Sequence, residues 1–358
     1  MAASYDNLNA YHYWLNRNGA YYPKVALKYF DSNRGYGLVA KEFIAKDQVV
    51  MHIPDTITLN NENVRKVPYF HKLLKSQSKL QPGDELVLFT LLEKMNSQST
   101  FKSYFDMMQN RTMTPSIAYK DMKLTELPSV MQPLWLVKEF CPGLTQHDFN
   151  VAYNAVHTRT YKSKEKLCLV PLADMANHSV SPNTHQFRLE AHNPPLYTII
   201  TSRNIQKGEE ITVTYGDLDN SLLWFMFGFH IDGNPYNQAG IPWTQLVEFM
   251  LKEKFICPLV IRALSANPLN PVVYAKTNGT ISDEFRQNVQ LLLMSADRIS
   301  GCSPASQEQL EIRATFAIDR VLRRFRASVL EKADIVNSEL KFLWQDDLRS
   351  IDAALRTL

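Results

Sequence analysis

The spacing of apolar residues changes character along this chain, and each change marks an element. Leu8 to Asn18 places Leu8, Tyr11, Trp14 and Leu15 at intervals of three and four, which predicts a helix closed by Gly19. Val25–Phe30, Leu38–Ala40 and Gln48–Ile53 are short apolar runs. Tight turns at Asp31-Ser32-Asn33-Arg34-Gly35-Tyr36-Gly37 and Ala45-Lys46-Asp47 separate them, and Pro54 stops the last. Short strands joined in this way predict a β-rich unit rather than a parallel α/β sheet. From about Asn60 to Lys166 the pattern turns helical: Asp84–Met95 after Pro82-Gly83, the aromatic and Met-rich Phe101–Met108, then Leu134–Phe140 and Asp148–Tyr161.

Strand patterns then return. Leu167-Cys168-Leu169-Val170-Pro171 is an apolar run ended by proline, and Leu196–Ile200 reads as a strand. Lys207-Gly208-Glu209-Glu210 reads as a turn into a second strand, Ile211–Gly216, which alternates apolar and polar up to Val213. Asp219-Asn220-Ser221 caps a short, very apolar helix, Leu222–Phe227, with Gly228 placed to end it. After Phe229 helical spacing runs to the end: Trp243–Glu253, Asp283–Ile299, Ser306–Ala333 (stripe Phe316, Val321, Phe325, Val329) and Asp334–Leu358.

Composition narrows the classes. A length of 358 residues suits two domains, and 45% hydrophobic with 21% charged residues is ordinary for a globular protein. A formal charge of +3 gives no support for nucleic acid as the partner. Four cysteines in a chain this long make no disulfide framework, and their spacing is too wide for a structural zinc site. The first residues carry Asp6 and no Lys or Arg before Arg17, so neither a secretory nor a mitochondrial leader is expected. The longest apolar run, Leu222–Phe229, is far short of the ~20 residues of a membrane span. The expected setting is the cytoplasm, the nucleus or both, as a monomer and away from membranes.

Two motifs carry chemistry. Asn177-His178-Ser179 is followed at a distance by Gly208-Glu209-Glu210-Ile211-Thr212-Val213-Thr214-Tyr215-Gly216. Together and in this order they resemble the C-terminal half of a SET domain, the fold of most protein lysine methyltransferases. Arg34-Gly35-Tyr36-Gly37-Leu38 resembles the glycine turn that opens SET domains. Taken alone, Gly-x-Gly between strands is usually a plain turn. No Gly-x-Gly-x-x-Gly is present, which argues against a Rossmann-type site. A long helical insertion between the halves, and a helical C-terminus, resemble the RuBisCO large-subunit methyltransferase branch. The implied fold is α+β: a β-rich SET fold of small sheets split by a helical insertion, followed by an all-α C-terminal domain. The expected boundaries are a helical segment at 1–23, SET halves at 24–60 and 166–235, the insertion at 61–165 and a helical substrate-binding domain at 236–358.

The resemblance also implies roles. SET enzymes move a methyl group from S-adenosylmethionine (SAM) to a lysine amine. A lysine of pKa ~10.4 is mostly charged, so the site must hold the neutral amine and align it in line. Tyr215 is implied as the catalytic tyrosine, its hydroxyl facing the methyl-transfer centre; the plainer reading is a sheet tyrosine with its hydroxyl in water. Asn177 and His178 are implied SAM contacts, and Asp174 belongs to the matching Asp-x-x-Asn-His. The backbone of Arg34, Gly35 and Tyr36 would lie against the cofactor. Arg159, in Thr158-Arg159-Thr160-Tyr161, would pair its fork-shaped guanidinium with the SAM carboxylate, or else is a helix-end arginine in solvent. Phe227-Gly228-Phe229 matches an aromatic-Gly-Phe that closes over the cofactor. No metal is expected: His178, His185 and His192 recur every seven residues, not as an i, i+4 pair.

The sequence departs from the branch at Phe227, where many members have tyrosine, and it has no cysteine-rich tail after the SET half. The wall of the lysine channel would then come from the C-terminal domain, which the branch uses to hold a protein substrate. A sister group methylates a histidine and follows its arginine with two amides; Thr160 and Tyr161 are closer to the lysine-directed members. Three readings stand: a lysine methyltransferase of a non-histone protein, a histidine methyltransferase, and a SET-like interaction module without catalysis. Arg320, Arg323, Arg324 and Arg326 form a basic cluster that is either a solvated face or a docking surface for an acidic protein.

Overall fold

Ser4 starts the first helix, Tyr5–Arg17, by accepting the N–H of Asn7 on its hydroxyl. The computed structural model describes residues 4–31, 34–75, 80, 82–108, 145–163, 166–263, 272–333 and 340–358. The predicted helix at Leu134–Phe140 lies outside them. The chain divides into two units, one of residues up to Gly216 with Trp224–Phe229, the other of Asp217–Leu223 with His230–Leu358.

In the first unit the strands are β1 (Val25–Tyr29), β2 (Tyr36–Ala40), β3 (Val49–Pro54), β4 (Leu59–Asn60), β5 (Thr160–Ser163), β6 (Lys166–Leu169), β7 (Asn177–His178), β8 (Thr184–Leu189), β9 (Leu196–Thr201) and β10 (Glu210–Val213). They form three small sheets, ordered β1-β2-β10-β7, β3-β9-β8 and β4-β6-β5. Every one of these sheets pairs strands that precede the helical block with strands that follow it. The block therefore interrupts the sequence without interrupting the β core. Its described helices are Asn61–Arg65, Pro68–Lys75, Pro82–Met95, Lys102–Met108 and Gln146–Arg159. Pro82–Met95 is buried all round at Leu86, Val87, Leu88, Phe89, Thr90 and Leu91, as a helix with no polar face must be. Gln146–Arg159 begins with a capping box between Thr145 and Asp148.

The second unit is helical, as expected, in Trp243–Lys252, Pro258–Ala263, Asp283–Ile299, Gln307–Ala333 and Lys341–Thr357. It also contains a two-stranded antiparallel sheet that the helical periodicity hid, β11 (Gln238–Pro242) with β12 (Val272–Lys276). Val272-Val273-Tyr274 is the β-branched and aromatic signal that marks it. The stripe read for Gln307–Ala333 needs one correction. Val321, Phe325 and Val329 are buried, but Phe316 is 59% exposed. The inward face is Leu310, Ala314, Ala317, Ile318, Val321 and Leu322, and Phe316 lies off it. The basic cluster is paired within the chain. Arg320 and Arg324 both hold Glu253, Arg323 holds Asp319, and Arg326 holds Asp352 at 2.6 Å. That pairing favours the solvated face over a docking surface.

Asp347, on the last helix, gives the second unit a pH dependence. Burial, with Asp346 and Asp219 nearby, pushes its carboxyl up to about 7. Folding thus favours the protonated form, and its stabilisation is lost as pH rises from the unfolded value of ~3.9 through about 7. Thermal unfolding of the wild type is expected to shift to lower temperature between pH 5 and pH 8. In Asp347→Asn that slope flattens, and an unchanged slope would assign it to other groups.

Candidate functional site

Strand β10 organises the site, because it lies between β2 and β7. On one edge Glu210 and Ile211 pair antiparallel with Val39 and Leu38. On the other, Thr212 and Val213 pair in parallel with Asn177 and His178. The sheet thereby brings the glycine turn before β2, the Asn177-His178 pair and the end of β10, where Tyr215 follows, into one neighbourhood. The turn is tight: Gly35 adopts φ +66°, and its N–H reaches Asp31 O at 2.8 Å.

Tyr215 sits in an aromatic cluster. Its ring lies 5.1 Å from that of His178 and 4.8 Å from that of Phe227, and Phe229 lies 6.3 Å from His178. Gly228 permits this placement with φ +74° at the end of the helix Asn220–Phe227. The Tyr215 hydroxyl donates to Ala176 O at 3.0 Å. Its backbone N–H donates to His178 Nδ1 at 3.0 Å, so the neutral imidazole carries its proton on Nε2. Burial lowers the His178 pKa and keeps the ring neutral. That Nε2–H is buried and has no hydrogen-bond partner among the described residues. An unmet buried donor costs ~1–3 kcal/mol.

A second group surrounds the turn Ala173–Met175, which precedes β7. Leu172 enters it at φ 71°, ψ −49°, near the strained γ-turn, while its N–H donates to the buried Tyr11 hydroxyl at 2.7 Å. Arg159, at the end of its helix, is almost wholly buried. Its Nη1 donates to Asp174 O at 3.0 Å and stands 4.0 Å from the Asp174 carboxylate. Tyr161 donates to Ala173 O at 2.7 Å. Asp174 itself is buried, and Tyr104 donates to its Oδ2 at 2.6 Å. Burial pushes the Asp174 carboxyl up to about 6, against the opposing pull of Arg159 and of the Tyr104 hydrogen bond. The same burial raises Tyr11, Tyr104 and Tyr161 well above the usual phenol range, so all three stay protonated, Tyr104 and Tyr161 as donors and Tyr11 as the acceptor of the Leu172 N–H.

The expected site residues thus fall in two groups. Arg34, Gly35, Tyr36, Asn177, His178, Tyr215, Phe227, Gly228 and Phe229 belong to the sheet and its aromatic cap; Arg159 and Asp174 meet at the turn beneath. Arg159 is not the solvent-exposed helix end that was the plainer alternative. Sequence reading missed Tyr11 and Tyr104, which lie in the first helix and the insertion and carry no motif. Only the fold brings them to Asp174. Tyr104→Phe is expected to lower stability by ~1–3 kcal/mol, since it leaves a buried carboxylate oxygen unmet. Urea unfolding of the two proteins side by side checks this.

The SET domain family profile matches residues 35–216, slightly more than half of the chain. The chain belongs to the SET-domain family. It is 24% identical over 281 residues to the [fructose-bisphosphate aldolase]-lysine N-methyltransferase of Arabidopsis thaliana, covering 70% of this chain and 56% of that one. It is 24% identical over 249 residues to the ribulose-1,5-bisphosphate carboxylase/oxygenase large subunit N-methyltransferase of Pisum sativum, 60% of this chain and 50% of that one. The chain thus spans about half the length of these curated relatives. A solved structure, "Structure of Rubisco LSMT bound to AdoMet", superimposes with a TM-score of 0.68 at 16% identity, covering 98% of this chain and 88% of that one. The split SET fold of the Rubisco methyltransferase branch is therefore the fold of this chain. Among the described residues no group of His, Cys, Asp and Glu is placed to hold a metal ion, and no helix is long and apolar enough to cross a membrane.

Proposed function

We propose that this chain is a SAM-dependent protein-lysine N-methyltransferase acting on a non-histone protein. The observation that carries the reading is the convergence on β10: the glycine turn, the Asn177-His178 pair and Tyr215 meet in one sheet. The unmet His178 Nε2–H fits a ligand at that place. Among the described residues the Arg159 hydrogen bonds, to Asp174 O and Met175 Sδ, both engage Nη1, and a guanidinium has five N–H donors, so the group suits a carboxylate. Asn177, His178, Arg159 and the Arg34-Gly35-Tyr36 backbone would hold SAM, with Phe227-Gly228-Phe229 closing over it. Bound there, SAM supplies an activated methyl group.

The remaining chemistry belongs to the chain. Tyr215 orients the lysine amine, its phenol fixed by the Ala176 carbonyl and by ring packing against His178 and Phe227. The aromatic walls favour the neutral amine by excluding water. Positioning of nitrogen and methyl carbon in line supplies much of the rate. The helical second unit holds the protein substrate, and the setting is the cytoplasm or the nucleus. Titration calorimetry with SAM, followed by transfer of labelled methyl from SAM to proteins of a cell lysate, tests the proposal. Binding with label transfer supports it; binding without transfer from any lysate would leave an interaction module, and absence of binding would end the enzyme reading.

A further inference from the structure

Glu210 lies outside the residues that the motifs single out for the cofactor, yet it touches two of them. As a side chain on the middle strand it can reach both neighbours. Its Oε1 accepts the amide N–H of Asn177 at 2.8 Å on the β7 side. Its Oε2 accepts a hydrogen bond from Arg34, the first residue of the glycine turn, on the β2 side. The Arg34 guanidinium in turn lies over the Phe30 ring, 4.2 Å from its centroid. Gly37 completes the cluster. A Cβ at that position would stand 2.6 Å from Asn177 Nδ2, 2.7 Å from Phe30 and 2.9 Å from Glu210 Oε1. The space a side chain would fill is occupied by the bridge itself.

We propose that Glu210 is a positioning residue for the cofactor site: one carboxylate ties Asn177 to Arg34 and so fixes the glycine turn against the Asn177-His178 strand. The proposal rests on the reading that this site takes SAM. The two arms of the bridge differ in weight. The Glu210 side chain is 19% exposed, whereas that of Arg34 is 47% exposed, so the ion pair is screened by water and salt. The Asn177 arm is the inner one, and a charged acceptor strengthens it. Asn177 would otherwise be free to turn its amide away from the ligand, and the turn before β2 would lose its anchor.

The arms separate in two variants. Glu210→Gln keeps an oxygen for Asn177 and loses the charge toward Arg34; Glu210→Ala loses both. By calorimetry, Glu210→Ala is expected to weaken SAM binding about tenfold or more, the loss of one charge-assisted hydrogen bond, with Glu210→Gln in between. In turnover the loss appears as a raised KM for SAM, with kcat at saturating SAM and the KM for the protein substrate close to wild type. A general weakening of the fold would not give that split. Raised salt is expected to narrow the gap between Glu210→Gln and wild type, because only the Arg34 arm is screened. If Glu210→Ala does not fold, Glu210→Gln is measured alone, and several-fold weaker binding at low salt supports the proposal. SAM affinity within about twofold of wild type in Glu210→Ala, or in Glu210→Gln at low salt where that variant stands alone, overturns it. That outcome, with wild type binding SAM, fails this inference alone; a wild type that does not bind SAM fails the functional reading beneath it and this inference with it.

Discussion

Tyr215→Phe is expected to lower methyl transfer by about a hundredfold or more while SAM affinity stays close to wild type. The magnitude is that of removing one preorganised hydroxyl from a transition state, which elsewhere costs ~10²–10³ in rate. The structure says why binding survives. The ring of Tyr215 is held by His178 and Phe227, and its backbone N–H by His178 Nδ1, none of which the substitution removes. The hydroxyl itself bonds Ala176 O, and its loss costs the fold ~1 kcal/mol. Calorimetry and single-turnover label transfer on the same preparations separate the two effects. Transfer within a few-fold of wild type would make Tyr215 a structural residue of the sheet.

The second large effect is at Gly37. Gly37→Ala is expected to weaken SAM binding by about a hundredfold or more, because the new methyl cannot be placed without breaking the Asn177–Glu210 contact or moving Phe30. Gly37 is required for space, not for its backbone angle. Gly208 supplies the contrast. It stands in the turn before β10 at φ +81°, with nothing within 4 Å of an added Cβ. Gly208→Ala should therefore cost ~1–2 kcal/mol of stability through backbone strain and leave SAM affinity unchanged. Calorimetry and thermal unfolding on both variants give opposite patterns if this account holds. Wild-type SAM affinity in Gly37→Ala would mean the turn does not face the cofactor.

Much of the architecture was legible because strands and helices announce their own period. β2, β3, β9 and β10 follow apolar runs and tight turns, and the helix Asp283–Ile299 has the bounds its stripe predicts. Which strands pair is another matter. β2 with β10 and β3 with β9 join residues on opposite sides of the insertion, and periodicity within a strand says nothing about its partner. The grouping of Asn177, His178 and Tyr215 came from resemblance to a family, not from spacing. Tyr11, Tyr104 and Glu210 were illegible in a stronger sense. Tyr11 and Tyr104 belong to no motif and Glu210 has no role assigned by the motif it sits in, yet each matters through a contact made across the fold. Glu210 read as part of a turn, whereas Gly208 completes the turn and Glu210 opens β10. Phe316 misled for a similar reason: hydrophobic and roughly in register, it lies off the face that its helix buries.

The central claim is that a SET site built on β10 moves a methyl group from SAM to lysine. Its most direct test is the identity of the modified residue. Protein labelled by the purified chain and methyl-labelled SAM is hydrolysed to amino acids, beside a Tyr215→Phe control. The account predicts label in methyl-lysine, falling sharply in the control. Label in methyl-histidine, or label equal in wild type and control, would contradict it.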